Sequence, residues 1–253
     1  MIRSAVNLQR FCAFKEMTPL TLFLVIISAV LFTACDSLSK VQAGCKDGRL
    51  PSRFAWIALS ILIFTACDAL SKFWALTMSI WPLLGIIIST PVAFFLFGRV
   101  TRENGLAVGS SVINAGNVVS AMTFGLIFFS EWKILSAQQY IGMLCAIIGI
   151  VLMMFTGTHD DVSEVAVEAS APQRRQRLAT VLLCILPPLA YMVFGFVNAE
   201  TGLAIGSGSV NCLNLLGTMV VGLIALKEWK KVSPGQFGGM ASAAAGLVLM
   251  LFF

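Results

Sequence analysis

Two aspartates set in apolar runs are the first residues with chemistry to offer. FTACDSLSK, Phe32 to Lys40, and FTACDALSK, Phe64 to Lys72, lie 32 residues apart, and each puts an acid four residues before a base. On a helix those positions share a face, so Asp68 and Lys72 can neutralise one another. A carboxyl inside a membrane span can equally hold a coupling ion, H+ or Na+, or a charged solute. Both readings stand on the sequence: a self-satisfied structural pair with a snorkelling Lys72, or an ion-coupling role for Asp68. Asp36 and Lys40 fall later in their apolar run and are expected at the membrane interface.

Four amides come next. Asn114 and Asn117, and again Asn211 and Asn214, are spaced by three, which puts each pair on one helix face. A carboxamide turned towards lipid is costly, so all four should face the bundle interior. There they would either hydrogen-bond neighbouring helices, worth about 0.6–2 kcal/mol each, or line a polar cavity. Ser110 and Ser207, one turn earlier, extend the same faces, and Tyr191 could present a hydroxyl and a ring to a ligand. No other catalytic or cofactor set stands out. The single histidine, His159, lies in a polar loop, and seven scattered cysteines form no CxxC. These exclude a His-based metal centre, a hydrolytic triad and a disulfide framework. The expectation is a protein that is not an enzyme and carries no cofactor.

The elements that position these residues follow from composition. Of 253 residues 58% are hydrophobic and 11% charged, with mean hydropathy +0.91. A water-soluble domain cannot hide so much apolar surface, whereas a bilayer accepts it. Apolar runs long enough to cross lie near 19–35, 54–76, 81–98, 105–129, 138–156, 178–197, 203–226 and 236–253. The expected fold class is therefore all-α, a polytopic transmembrane bundle of about eight spans in contact with the lipid bilayer. The net charge of +5 lies in loops and signals orientation, not nucleic acid. Positive-inside reasoning puts the loops after the first, third, fifth and seventh spans in the cytoplasm. Arg3, Arg10 and Lys15 precede the first run, and LFTAC, ending at Cys35, has the look of a lipoprotein cleavage box. The same letters recur at 64–67 inside the second span, which favours a genuine first span.

A longer repeat organises the rest. Shifting the chain by 97 residues lays 82–155 on 179–252 without a gap, with 31 identities in 74 positions. Asn114 meets Asn211, Asn117 meets Asn214, Pro91 meets Pro188, and Glu131-Trp132-Lys133 meets Glu228-Trp229-Lys230. Each copy holds three spans, and the polar stretch 156–177 between them cannot cross. Three crossings are odd, so the second copy must begin where the first ended, upside down. The chain divides into 1–53 with one extra span, a four-helix unit 54–156, a polar linker 157–177 and a three-helix unit 178–253. The unit 178–253 lacks an opening helix, and the extra first span could fill that place. Pro91 and Pro187-Pro188 should kink their spans. Gly142, Ala146 and Gly149 match Gly239, Ala243 and Gly246, small ridges that should pack the fifth span on the eighth. The two Glu-Trp-Lys triplets read as interface anchors.

In these features the chain resembles the drug/metabolite transporter superfamily, most closely its EamA-type and small multidrug resistance-like members. Lys72 closes a first helix and Trp81-Pro82 with Gly85 opens a second. A Gly-rich start leads into the acidic turn GLIFFSEWK, and IGMLCAIIGIVLMM follows. The second copy repeats the last two features in GLIALKEWKK and GGMASAAAGLVLM. In small multidrug resistance-type proteins an essential Glu stands eight residues before the Lys; here Phe64 holds that place and Asp68 lies one turn on. The resemblance implies a multi-pass transporter in a plasma, inner or organelle membrane. It would move a small organic solute by alternating access between inverted repeats, with room for a homodimer. The alternative is a non-transporting membrane scaffold or subunit.

Overall fold

The computed structural model describes residues 18–43, 53–129, 136–156, 173–230 and 232–252. Among them lie eight α-helices and no strand: α1 (Pro19–Ala43), α2 (Arg53–Thr77), α3 (Ile80–Asn104), α4 (Leu106–Phe128), α5 (Ala137–Phe155), α6 (Gln173–Thr201), α7 (Leu203–Val220) and α8 (Pro234–Phe252). Helices α1, α2, α3, α4 and α6, and α7 with the turn after it, are long and apolar enough to cross a membrane. Helix α5 contributes a shorter apolar run, Tyr140–Met153. Helix is the only open-chain form that satisfies its own backbone in lipid, and these apolar sequences adopt it throughout. Side chains are sorted as a bilayer demands. Leu62, Ile88 and Ile185 point outward and exposed, while Asp36, Asp68, Lys72 and Asn117 are buried. The chain is an integral, multi-pass helical protein.

Helix α1 runs eight residues beyond the expected end of its span, so Asp36 and Lys40 sit inside it. The interfacial placement of Asp36 is therefore corrected: it is 2% exposed. The prolines do not break their helices either, since α3 continues through Pro91 and α6 through Pro187 and Pro188. The irregularity falls elsewhere, at Val221–Ala225, where α7 ends in a π-helical turn. The matching stretch of α4 stays α-helical to Phe128. The N-terminal segment with Arg3, Arg10 and Lys15, His159, most of the linker and the triplet Glu131-Trp132-Lys133 lie outside the described residues.

Packing pairs the duplicated parts. Helix α2 lies against α3, α4 and α6, α1 against α3, α6 and α7, and α4 against α7. Helices α5 and α8 form the tightest pair, as the small-residue ridges require. A Cβ on Gly149 would meet Ala243 N and Gly239 O at 2.6 Å, and one on Gly246 would meet Gly142 O at 2.5 Å. Two further glycines make equivalent approaches in the two copies. A Cβ on Gly98 (α3) would lie 2.5 Å from the Ser39 carbonyl oxygen, and one on Gly195 (α6) 2.5 Å from that of Ser71. Ser39 and Ser71 are the same position of the nine-residue repeat. Backbone cannot retreat cheaply, so Gly98→Ala and Gly195→Ala should each cost about 1–3 kcal/mol. Thermal unfolding in detergent reads this out, and an unchanged midpoint for both would contradict the close approach.

Candidate functional site

The nine-residue repeats deliver their polar side chains to the asparagines. From α2, Thr65 Oγ1 donates to Asn117 Oδ1 at 3.0 Å, and Asn117 Nδ2 donates to Asp68 Oδ2 at 3.0 Å. From α1, Thr33 Oγ1 donates to Asn214 Oδ1 at 3.0 Å, and Asn214 Nδ2 donates to Asp36 Oδ2 at 2.9 Å. Thr, Asp and Asn thus make the same triad twice, once on α2 and α4, once on α1 and α7. Helix α1 occupies beside α7 the place that α2 occupies beside α4. The α2 triad draws a further donor from the other copy, Ser207 Oγ to Asp68 Oδ2 at 2.9 Å. Ser110, its equivalent, hydrogen-bonds Thr218 Oγ1 at 2.7 Å and accepts from Asn114 Nδ2 at 2.8 Å.

The acid and base of each repeat part company. Asp68 turns to Asn117 and Ser207, while the Lys72 ammonium stands 4.0 Å from the centroid of the Phe129 ring. Asp36 turns to Asn214, and Lys40 forms an ion pair with Glu228. Spacing by four allows a pair, but a carboxylate with amide and hydroxyl donors on the neighbouring helix is already satisfied. The expected Asp68–Lys72 pair is corrected on this ground, and Lys72 lies away from the candidate site.

Asp36 and Asp68 line one cavity together with all four asparagines. Its remaining wall is aromatic: Phe32, Phe64, Phe94, Tyr191 and Phe194. Tyr191 is edge-on to Phe32, with ring centroids 4.9 Å apart, and its hydroxyl lies beside Asp68. In the other copy Phe94 takes the place of Tyr191, so the cavity has one phenol in an otherwise matched frame. Ser110 and Ser207 stand behind the wall, bonded to its polar groups. The cavity among these side chains is small, about 10 Å³. That is room for about one water.

Asp36, expected at the membrane interface, thus joins Asp68 in lining this cavity. Tyr191 was expected at a ligand site, but the four phenylalanine rings beside it were not. Phe in an apolar helix looks like lipid-facing filling, and its only signal was recurrence, since Phe32 and Phe64 open the two nine-residue repeats. Among the described residues no group of three or more His, Cys, Asp or Glu could hold a metal ion. Cys35, Cys67, Cys145, Cys184 and Cys212 are free thiols.

A second polar cluster lies at one end of the bundle. The carboxylate of Glu228 accepts from the first two backbone N–H groups of α4, Leu106 to Oε1 and Ala107 to Oε2, each at 2.9 Å, and pairs with Lys40. The start of α4 needs such acceptors, because its first N–H groups have none within the helix. Glu228 is 4% exposed, so its expected role as an interface anchor is corrected to that of a buried cap. Trp229, beside it, is exposed as an anchor should be.

No family model, no curated protein and no solved structure matches this chain.

Proposed function

We propose that the protein is a secondary transporter of the drug/metabolite type, with two inverted repeats moving a small organic solute by alternating access. The units are α2–α5, and α6–α8 completed by α1. One observation carries the reading: Asp36 and Asp68, each held by an asparagine on a neighbouring helix, line a single cavity among α1, α2, α3, α4, α6 and α7.

Eight crossings are supported by length, since even the 19 residues of α5 or α8 make a helix of about 28 Å, near the thickness of the hydrocarbon core. Inversion is supported by the ends of the paired helices. Lys40 reaches the start of α4 through Glu228, whereas Lys72, its counterpart, lies at the far end of α4 against Phe129. Ser110 near the start of α4 likewise meets Thr218 near the end of α7. Carriers built on inverted repeats hold their site at the repeat interface near mid-membrane, which suits a cavity walled by α4 and α7.

The chemistry of the wall favours a solute with a positive charge. Two carboxylates supply the countercharge, and five rings supply faces that attract a cation and cover an apolar body. Room for about one water marks a closed conformation, so the solute enters when the units rock apart at one side. The Asp36 and Asp68 carboxyls hold the solute, Asn117 and Asn214 position them, and the rings exclude water. Among the described residues no nucleophile–base set joins the carboxyls at the cavity.

The test is uptake of protonated amines, sugars and nucleobases into proteoliposomes. Flux of at least one amine is expected, lost in Asp36→Asn and in Asp68→Asn while both variants still elute as folded protein. Unchanged flux in both variants would overturn the site. Absence of flux for every class, with a partner protein co-purifying at fixed stoichiometry, would favour the scaffold reading.

A further inference from the structure

The four asparagines of the cavity are not equivalent. The carboxamide oxygens of Asn117 and Asn214 accept from Thr65 and Thr33. Asn114 and Asn211 spend their amide nitrogens instead, on Ser110 and on Ser207. No donor among the described residues reaches the carboxamide oxygen of either. Both side chains are more than nine-tenths buried, 6% and 7% exposed, and both line the cavity. Neither oxygen is fully enclosed; each keeps a little accessible surface at the cavity, where water or an ion can meet it. Two such oxygens, from symmetry-related positions, face the same small space as two carboxylates.

The lining selects the occupant. Among the described residues it contains no Lys or Arg, because Lys40 and Lys72 are turned to Glu228 and Phe129, so it suits a cation. Its polar groups are oxygen and amide nitrogen, with no His or Cys, which suits a hard ion and not a transition metal. Size narrows the choice further, since about one water fits. Magnesium keeps several waters of its own and calcium asks for six to eight oxygens. A dehydrated monovalent ion needs neither. It also leaves the second carboxyl free to carry one proton, so that the buried charge balances.

We propose that the closed cavity is a sodium site, with the carboxyls of Asp36 and Asp68 and the carboxamide oxygens of Asn114 and Asn211 as ligands. The aromatic rings close over the ion and keep bulk water out. This names the coupling ion of the carrier and rests on that reading for its purpose; the binding itself stands apart from it. Sodium and a cationic solute would compete for the same two carboxyls, which is the relation an exchanger needs.

The experiment follows the thermal stability of the purified full chain in detergent. Lithium, sodium, potassium and rubidium chloride are titrated at constant ionic strength, with N-methyl-D-glucamine as the balancing cation. A saturable rise is expected with sodium, larger than with potassium or rubidium. Asn114→Leu with Asn211→Leu should weaken its half-saturation by about tenfold or more, and Asp36→Asn with Asp68→Asn should abolish it. The cation series on the unaltered protein decides the matter even where a variant fails to fold. An identical, unsaturating response to all four salts would overturn the sodium site. Solute flux that persists in sodium-free proteoliposomes would then leave the carrier standing without it. Saturable sodium binding without flux of any solute would support the site and sink the carrier instead.

Discussion

Glu228→Ala will lower the melting temperature of the detergent-solubilised protein by roughly 6–12 °C, from a loss of about 3 kcal/mol. Three groups lose their partner at once: the N–H of Leu106, the N–H of Ala107 and the ammonium of Lys40. The first two start a buried helix and have no acceptor within it. Lys40 is a quarter exposed and can find water, which keeps the loss at the lower end of that for a broken buried pair. Glu228→Gln keeps one acceptor and should lose about half as much. Ile224→Leu, at an exposed position of the preceding π-helical turn, should stay within about 0.5 kcal/mol. A melting curve of Glu228→Ala that overlays the unaltered protein would show that the cap contributes nothing. The surrounding glycines tie the same end together. A Cβ on Gly105, at φ 82°, would press on the Glu228 carboxylate, and one on Gly222 would reach both that carboxylate and Ala107 N. Helix α1, the start of α4 and the α7–α8 connection thus meet on one carboxylate. Any motion that parts the two units at this end must first release it.

The double substitution Asn117→Leu with Asn214→Leu is expected to abolish solute flux and to destabilise the fold. Each leucine removes the donor to a buried carboxylate and one of two acceptors of a threonine hydroxyl. A hydrogen bond to a charged group contributes about 1.5–3 kcal/mol, so the pair should cost about 3–6 kcal/mol. Each single substitution should cost about half, since Asn117 and Asn214 serve different carboxyls. Size-exclusion chromatography and thermal unfolding measure the stability, and proteoliposome uptake measures the flux. Stability near that of the unaltered protein would contradict the hydrogen bonds, and normal flux in a folded double variant would remove these asparagines from the transport path.

Much of this arrangement was legible in the sequence because the chain states it twice. Asparagine positions matched over a 97-residue offset cannot be explained by shared hydrophobicity, and their burial follows from what an amide costs in lipid. The close contact of α5 with α8 followed in the same way from paired small residues. What escaped were interactions decided between helices. Asp68 and Lys72 satisfy the i, i+4 rule, yet donors on α4 and α7 claim the carboxylate. Asp36 stands near the end of an apolar run, where polar letters suggest an interface, but SLSKVQA continues as helix and carries it inward. Glu228 is followed by Trp229 and Lys230, the dress of an interfacial anchor, and only tertiary contact shows it buried. The π-helical turn had no local signal, since the equivalent stretch of α4 has a similar sequence and stays regular.

The late arrival of one partner for the first helix has a consequence for biosynthesis. Helix α2 finds α3 and α4 as soon as they emerge from the ribosome, and Asp68 meets Asn117 after 49 further residues. Helix α1 must wait for Asn214, 178 residues downstream, before Asp36 has its amide. During that interval a carboxyl and an ammonium sit in a nascent helix without their final partners, beside a second helix carrying almost the same nine residues. The acid and the base of α1 therefore gain these partners only when the last quarter of the chain has been made.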